Sequence, residues 1–449
     1  MRAIIVGAGE VGYRIAERLC RENKDVVVID QNPLMIRRVK DTLDVEALEG
    51  KGSSPSLLAK AGIQHADIVV AVTDSDEVNI MACLFANMVS PDTVKIARIR
   101  NSEYLEHQHL FKQPAFNIHQ IINPESEVVK KVLALFEAPG ASDVLQFCEG
   151  KVHLVGVEIR EDSALSHRRL SAFREMEPSA NFLVAAIIRD QKMIVPGGED
   201  YILPGDLIYV VSDRKSKESM LRDLGLGIEP VKNIVIIGGG QLGRTLALHL
   251  DKTSYHTRII DVDESRCQEM ARLLERVVVL RGDATDQELL RDERVHEADI
   301  MVVATGDEER NVLISLLAKR LGVKRTITRV RTFGYIPVIS ALGIDMVVST
   351  HLAAIDATLQ FIRKGKVLSV AALKGDHAEV VEFVAQDSSR ILGKPLKSLK
   401  FPRGALIGAI VRGDQVIIPS GLTRIEPGDR ILIFVVPESI LDVEKFLMA

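Results

Sequence analysis

Gly7, Gly9 and Gly12 stand at G-x-G-x-x-G spacing in "AIIVGAGEVG", and Asp30 follows the first of them by 23 residues. Gly238, Gly240 and Gly243 repeat the device in "NIVIIGGGQLG", with Asp261 again 23 residues on. That pattern, a strand broken by glycines with an acid ending the next strand, is the chemistry of holding a dinucleotide. Gly7 permits a tight turn, Gly9 removes the Cβ that would block a pyrophosphate, and Gly12 lets helix and strand close up. The phosphates then meet the free N–H groups at a helix N-terminus. Asp30 is suited to accept hydrogen bonds from both ribose hydroxyls and to repel a 2′-phosphate, which favours NAD over NADP. The competing reading is a strand–turn–helix that is merely tight.

Other residues are expected at the carboxyl edge of the same sheets, where ligands of such folds lie. Thr73-Asp74 and Thr305-Gly306 end the fourth strand of each copy, or else cap the helix that follows. Asp283, in "GDAT", ends the third strand of copy two, whereas copy one has "GKGSS" there and lacks the acid. The two sites should therefore differ in affinity or ligand. Arg98 and Arg329 end the fifth strands and could reach phosphate, with a surface or interface ion pair as the alternative. His107, His109 and His119 lack a paired carboxylate pattern and read as solvated or interface histidines. "DSDEVN" lacks the spacing of a Ca²⁺ loop and reads as a helix start.

These residues need elements to position them, and the chain supplies them twice. A shift of 231 maps the glycines, Asp30 onto Asp261, and Arg98 and Arg100 onto Arg329 and Arg331. A shift of 232 maps "ADIVVAVTDSDEVN" onto "ADIMVVATGDEERN". "LQF" at 145–147 is matched with "LQF" at 359–361, and "IVPGGEDYILPGD" with "IIPSGLTRIEPGD". In copy one, strands are expected at 3–7, 26–30, 45–48, 67–72, 94–98 and 118–122, and helices at 11–22, 33–40, 54–60, 76–89 and 102–111. Such alternation makes an α/β fold with a doubly wound parallel sheet. Short β-rich runs such as "KVHLVGVEI" and "LVAAIIRD" follow, punctuated by Pro-Gly turns, and read as a small α+β lobe. A linking helix is expected within 124–140. The expected domains are thus Rossmann lobes at 1–123 and 231–349 and small lobes at 140–226 and 366–449.

Composition is consistent with this. The chain of 449 residues is 47% apolar and 27% charged, ordinary for a soluble α/β protein, and its net charge of −5 offers no polybasic field for nucleic acid. Cys20, Cys83, Cys148 and Cys267 are far apart, as expected of reduced thiols in a cytosolic protein. No signal peptide and no membrane span are expected, so a membrane role requires docking on something already there. A dehydrogenase would need a substrate domain with an acid or base near the nicotinamide. The small repeated lobes offer none at matching positions, so binding without chemistry is the better reading.

The order GAGEVG, Asp30, GKGSS, AVTDSDEVN, ARIRNSEYL and then a lobe with PGD, all repeated, resembles the nucleotide-binding regulatory domains of potassium transport, the KTN or RCK domains. The doubled form is similar to the cytosolic regulatory subunits of bacterial Trk potassium-uptake systems, over essentially the whole chain. The resemblance implies a homo-oligomeric ring, commonly a tetramer, peripheral on the cytoplasmic face of the inner membrane beneath a membrane-embedded Trk potassium channel subunit. It implies that NAD(H), or adenine nucleotides such as ATP and ADP, bind the Rossmann lobes and bias the channel's gate. By motif match it carries ligand roles onto Gly7, Ala8, Gly9, Glu10, Val11, Asp30, Thr73, Asp74 and Arg98, and onto Gly238, Gly239, Gly240, Gln241, Leu242, Asp261 and Arg329. Regulation of an efflux channel or antiporter, and an NAD-dependent oxidoreductase, are the alternatives.

Overall fold

The structure, a computed structural model, describes residues 1–163, 165–171, 182–190, 192–226, 230–363, 369–373, 379–387, 389 and 391–448. The expected start of the last lobe at 366 and its end at 449 lie outside the described residues. The chain divides into two compact units, one of residues 1–130 with 232–362 and one of residues 131–231 with 363–449.

The first unit holds two parallel sheets. In copy one the strands are β1 (Arg2–Val6), β2 (Asp25–Asp30), β3 (Glu46–Glu49), β4 (Ile68–Ala71), β5 (Val94–Arg98) and β6 (Gln120–Ile122), in the order β3-β2-β1-β4-β5-β6. Every pairing is parallel, which is the doubly wound Rossmann order. The central strands are mainly apolar because both faces are covered, while the edge strand β3 keeps Glu46 and Glu49 exposed. Ala3 and Ile5 face one core with Val26 and Val28, while Ile4 and Val6 face the other with Val27 and Ile29. Helices α1 (Glu10–Arg21), α2 (Pro33–Thr42), α3 (Pro55–Lys60) and α4 (Asp76–Val89) connect them. Copy two repeats the strand order with Val278–Arg281, His256–Asp261, Asn233–Ile237, Ile300–Val303, Arg325–Arg329 and Met346–Val348. The second copy also supplies the first: Ala354, Ile355 and Leu359 of the helix Thr350–Arg363 are buried in the same core as Ala3 and Ile5.

Two expectations are corrected. The single helix over 102–111 is two short ones, α5 (Ser102–Glu106) and α6 (Gln108–Phe111). The break falls at His107 (φ −102°, ψ 19°), which leaves the helical region and whose carbonyl accepts from Leu110 N in a tighter turn. The two "LQF" triplets are not equivalent. Residues 145–147 end the strand Asp143–Phe147, whereas 359–361 lie on the helix Thr350–Arg363. A three-residue match carries no periodicity, and it is the burial pattern over a whole element that fixes strand or helix. The helix expected within 124–140 is present as α7 (Pro124–Phe136).

In the second unit each small lobe holds a five-stranded antiparallel sheet followed by a helix, Lys217–Asp223 in the first and Ile440–Met448 in the second, so both are the α+β lobes expected. The two sheets share one core, in which Leu154 and Tyr209 of the first lobe pack with Ala409 and Phe434 of the second. The matched "PGD" turns do the same work in both lobes. Asp206 and Asp429, each 1% exposed, accept from Arg189 Nε at 2.7 Å and Arg412 Nε at 2.9 Å.

Candidate functional site

Each glycine has a separate physical reason. Gly7 (φ +108°) and Gly238 (φ +99°) hold the left-handed backbone that turns the strand into the helix. A Cβ on Gly12 would stand 1.8 Å from the Gly7 oxygen, and one on Gly243 1.9 Å from the Gly238 oxygen, so both are required by packing. A Cβ on Gly9 or Gly240 would meet nothing within 4 Å. Nothing in the protein demands glycine there, and the open space lies over the N-termini of α1 and of the helix Gln241–Leu250. Gly239 stands where copy one has Ala8; a Cβ there would lie 2.4 Å from Met270 Cε, the end of a flexible side chain that can shift.

The acids that end the second strands face the glycine turns. Asp30 Oδ2 accepts from Ala8 N at 2.6 Å and Oδ1 from Asn32 N at 2.7 Å. Asp261 does the same with Gly239 N at 2.5 Å and Asp263 N at 2.8 Å. Each carboxylate oxygen keeps lone-pair capacity beyond these bonds. Glu10 is tied to Arg38 Nη1 at 2.7 Å, with Arg38 stacked 4.1 Å over the Tyr13 ring. Val11 and Leu242 are buried and contribute backbone and packing.

The ends of the fourth and fifth strands are joined by a residue pair that the sequence reading passed over. Asn79, fully buried, accepts from Thr73 N and Oγ1 at 2.8 and 2.7 Å and donates to Arg98 O at 2.9 Å. Asn311 repeats this with Thr305 N at 3.0 Å and Arg329 O at 3.0 Å. The signal was present, since an asparagine stands six residues after the threonine in both copies. Neither threonine caps its helix. Ser75 Oγ and Asp307 Oδ1 are the caps, accepting from Val78 N and Arg310 N.

The fifth-strand arginines differ between copies. Arg98, 4% exposed, donates from Nη2 to Thr73 O and to the outward-facing Asp74 carboxylate, both at 2.7 Å. Burial pushes its guanidinium pKa down, and Asp74 opposes that shift. Arg329 has a glycine, Gly306, in place of that acid. Its Nη1 makes a long 3.4 Å bond to Thr305 O, and its buried Nε, like that of Arg98, has no partner. Burial lowers its pKa as well, opposed by the charge of Glu125.

In copy two these elements enclose a cavity of about 410 Å³. Gly238, Gly240, Asp261, Thr305 and Arg329 line it together with Arg266 and Arg310, which the sequence reading did not single out. Arg266 Nη1 lies 3.4 Å from Asp261 Oδ2. Asp283 sits beside the cavity and is paired with Arg310, which, with the Thr285 N–H, holds its carboxyl down at about 2. Gln241 points elsewhere, donating from Nε2 to Arg100 O at 3.2 Å, and borders a groove with Asp74 and Asp76 of copy one. Among the described residues no three His, Cys, Asp or Glu side chains are placed to hold a metal ion, and no helix is long and apolar enough to cross a membrane.

Residues 3–124 and 234–350 match the TrkA-N domain, and residues 154–225 and 380–448 match the TrkA-C domain. The chain is 37% identical to the Trk system potassium uptake protein TrkA homolog 1 of Methanosarcina mazei, over 99% of this chain and 100% of the relative. It is 35% identical to the Trk system potassium uptake protein TrkA of Halomonas elongata, over 99% of this chain and 98% of the relative. Among solved structures it is similar to the GsuK channel bound to NAD, with a TM-score of 0.63 at 18% identity, covering 99% of this chain and 78% of that one.

Proposed function

Because the chain belongs to the family built from TrkA-N and TrkA-C domains, we propose that it is a nucleotide-sensing regulatory subunit of a Trk-type potassium uptake system. In this reading it carries out no chemistry of its own. It assembles as a ring, most simply a tetramer, and docks at the cytoplasmic face of the membrane on a Trk channel subunit whose gate it biases. Its relatives bear the name of potassium uptake proteins, which favours uptake over efflux or antiport.

The observation that carries the nucleotide half of the proposal is the open space at Gly9 and Gly240. Two glycines that no protein contact requires stand at helix N-termini, with the Asp30 and Asp261 carboxylates held against the same turns. Such a site suits a pyrophosphate on the N–H groups and a ribose beside the acid. NAD(H) and ATP or ADP share that chemistry. The residues proposed to hold them are those of the two glycine turns with Asp30, Thr73, Asp74 and Arg98 in copy one, and Asp261, Asp283, Thr305 and Arg329 in copy two.

The mechanism is a population shift. A nucleotide moves the ring only by binding one of its shapes better than another, and several equivalent sites add their preferences. The test is potassium uptake in cells whose uptake depends on this protein, with wild type compared with Gly9→Ala and Asp30→Ala. Uptake should lose its response to nucleotide in step with binding. Uptake unchanged in variants that bind no nucleotide would overturn the proposal.

A further inference from the structure

The two Rossmann sheets share one strand order, yet four positions around the site differ in charge, three of them more positive in copy two and one, Asp283 in place of Lys51, more negative. In the registers that align the strands, copy two has Arg266 where copy one has Met35, and Arg310 where copy one has Val78. It has Asp283 in place of Lys51 and Gly306 in place of Asp74. Three guanidinium groups, Arg266, Arg310 and Arg329, therefore line the copy-two cavity, and the first two have no cationic counterpart in copy one.

Their placement orders the cavity. Arg266 lies beside Asp261 at the ribose end. Arg329 and Arg310 lie at the far end, where the fourth and fifth strands finish and the following helix begins. A Cβ on Gly306 would meet nothing within 4 Å, so the far end is open at the place where copy one carries a carboxylate. The Nε of each arginine is unpartnered, but Arg329 Nη1 makes a long 3.4 Å bond to Thr305 O, whereas Arg98 Nη2 already holds Asp74 at 2.7 Å. An anion arriving at copy two meets an arginine that, among the described residues, is opposed in charge by Glu125 of copy one rather than bonded to an acid of its own lobe. An anion arriving at copy one must displace Asp74 and stand beside its charge.

We propose that the two sites divide the nucleotides, copy two taking a nucleoside polyphosphate whose terminal phosphates are read by Arg329 and Arg310, and copy one taking a dinucleotide whose unphosphorylated end lies by Asp74. The inference rests on the nucleotide-binding reading above and specifies it. Asp283, which now holds Arg310, is the carboxylate that an incoming phosphate displaces. Charge-assisted bonds from guanidinium to phosphate are the stronger class, and the swap of one acid for glycine leaves Arg329 without the aspartate that Arg98 holds, while Arg310 exchanges Asp283 for the phosphate.

The test is calorimetric titration of the full chain with ATP, ADP, AMP and NADH. Wild type should bind ATP at one tight site per chain, with affinity falling from ATP to ADP to AMP. Arg329→Gln, Arg310→Met and Gly306→Asp should each weaken ATP by about tenfold to a hundredfold, the loss of one charged hydrogen bond, and leave NADH within about twofold. Asp74→Gly should add a second ATP site. The inference is overturned if Gly306→Asp leaves ATP affinity unchanged, or if Gly9→Ala rather than Gly240→Ala removes the tight ATP site. Equal binding of ATP at both copies would overturn the division while leaving the nucleotide reading intact. A wild-type chain that binds none of the four would sink both. Thermal melts of each variant separate lost binding from lost fold, and Gly306→Asp, placed in open space, should melt as wild type.

Discussion

The glycines of one turn should respond in opposite ways to the same added methyl group, and copy two makes the contrast clean. At Gly243 the new Cβ would lie 1.9 Å from the Gly238 oxygen, where ordinary contact begins at 3.4 Å, so strand and helix must separate by about 1.5 Å. Both are backbone, fixed by the ladder on one side and the helix on the other. Overpacking of this kind costs about 1–3 kcal/mol or more, which lowers the melting temperature by roughly 2–10 °C for a unit of this size. At Gly240 the backbone is already extended (φ −67°, ψ −176°) and the Cβ meets nothing, so Gly240→Ala should stay within about 1 kcal/mol of wild type. Its methyl instead occupies the space over the helix N-terminus. Loss of one or two charged hydrogen bonds to phosphate there predicts binding weaker by about tenfold to several hundredfold. Circular-dichroism melts and calorimetric titration of the same samples read both quantities. A Gly240→Ala chain that binds nucleotide like wild type would refute the placement of the phosphates, and a Gly243→Ala chain that melts like wild type would refute the packing argument.

Asn79→Ala should destabilise the first unit by about 1–3 kcal/mol in urea unfolding, because the buried Thr73 N–H loses its acceptor and Arg98 O its donor. Stability should also depend on pH near neutrality through His153, which is 3% exposed with neither ring nitrogen bonded. Burial, then the charge of Lys217, hold its pKa below the ordinary imidazole value, so the unfolded state binds the extra proton. Its contribution is present above about pH 6.5 and is lost as pH falls, by up to about 1.4 kcal/mol per unit. Urea midpoints at pH 7.5, 6.5 and 5.5 should fall for wild type and fall less steeply for His153→Leu, since burial also holds His119 and His351 low, while Asp263 and Asp283, held at about 2, stay charged throughout. Cys83, whose buried thiol is pushed up to about 12, should resist a thiol reagent at pH 8 in the folded chain, whereas the half-buried Cys20 should react first, as mass spectrometry of the labelled peptides would show.

What the sequence made legible was local. The glycine triplets and the acids 23 residues on could be read because turn and close packing require glycine at the outer positions and the spacing repeats, and the central strands because both-sided burial writes an apolar run. What it concealed was adjacency between distant elements. Arg266 and Arg310 read as ordinary helix-surface residues until the sheet brings the starts of their helices to one cavity. That Arg98 is buried and already paired depends on Asp74, 24 residues away on another loop. The burial of Leu359 against the first sheet has no mark in either segment, since an amphipathic helix does not name its partner, and the "LQF" match misled for that reason.

The two sites are not independent walls of one unit. Gln241 leaves the copy-two glycine turn to hold Arg100 O. Arg100 Nη2 donates to Asp74 O at 2.6 Å, and the Asp74 carboxylate holds Arg98 in the copy-one site. A short run of hydrogen bonds thus joins the helix N-terminus of one site to the buried arginine of the other. If a ligand draws Gln241 inward, Arg100 O loses that donor, and if a ligand displaces Asp74, the bond from Arg100 Nη2 to Asp74 O is disturbed as well. By linkage, whatever the first ligand does to the affinity of the second, the second does to the first by the same factor. The coupling is limited by how differently each ligand binds the two arrangements of that loop, so nucleotides that touch neither Asp74 nor Gln241 should leave it unmoved.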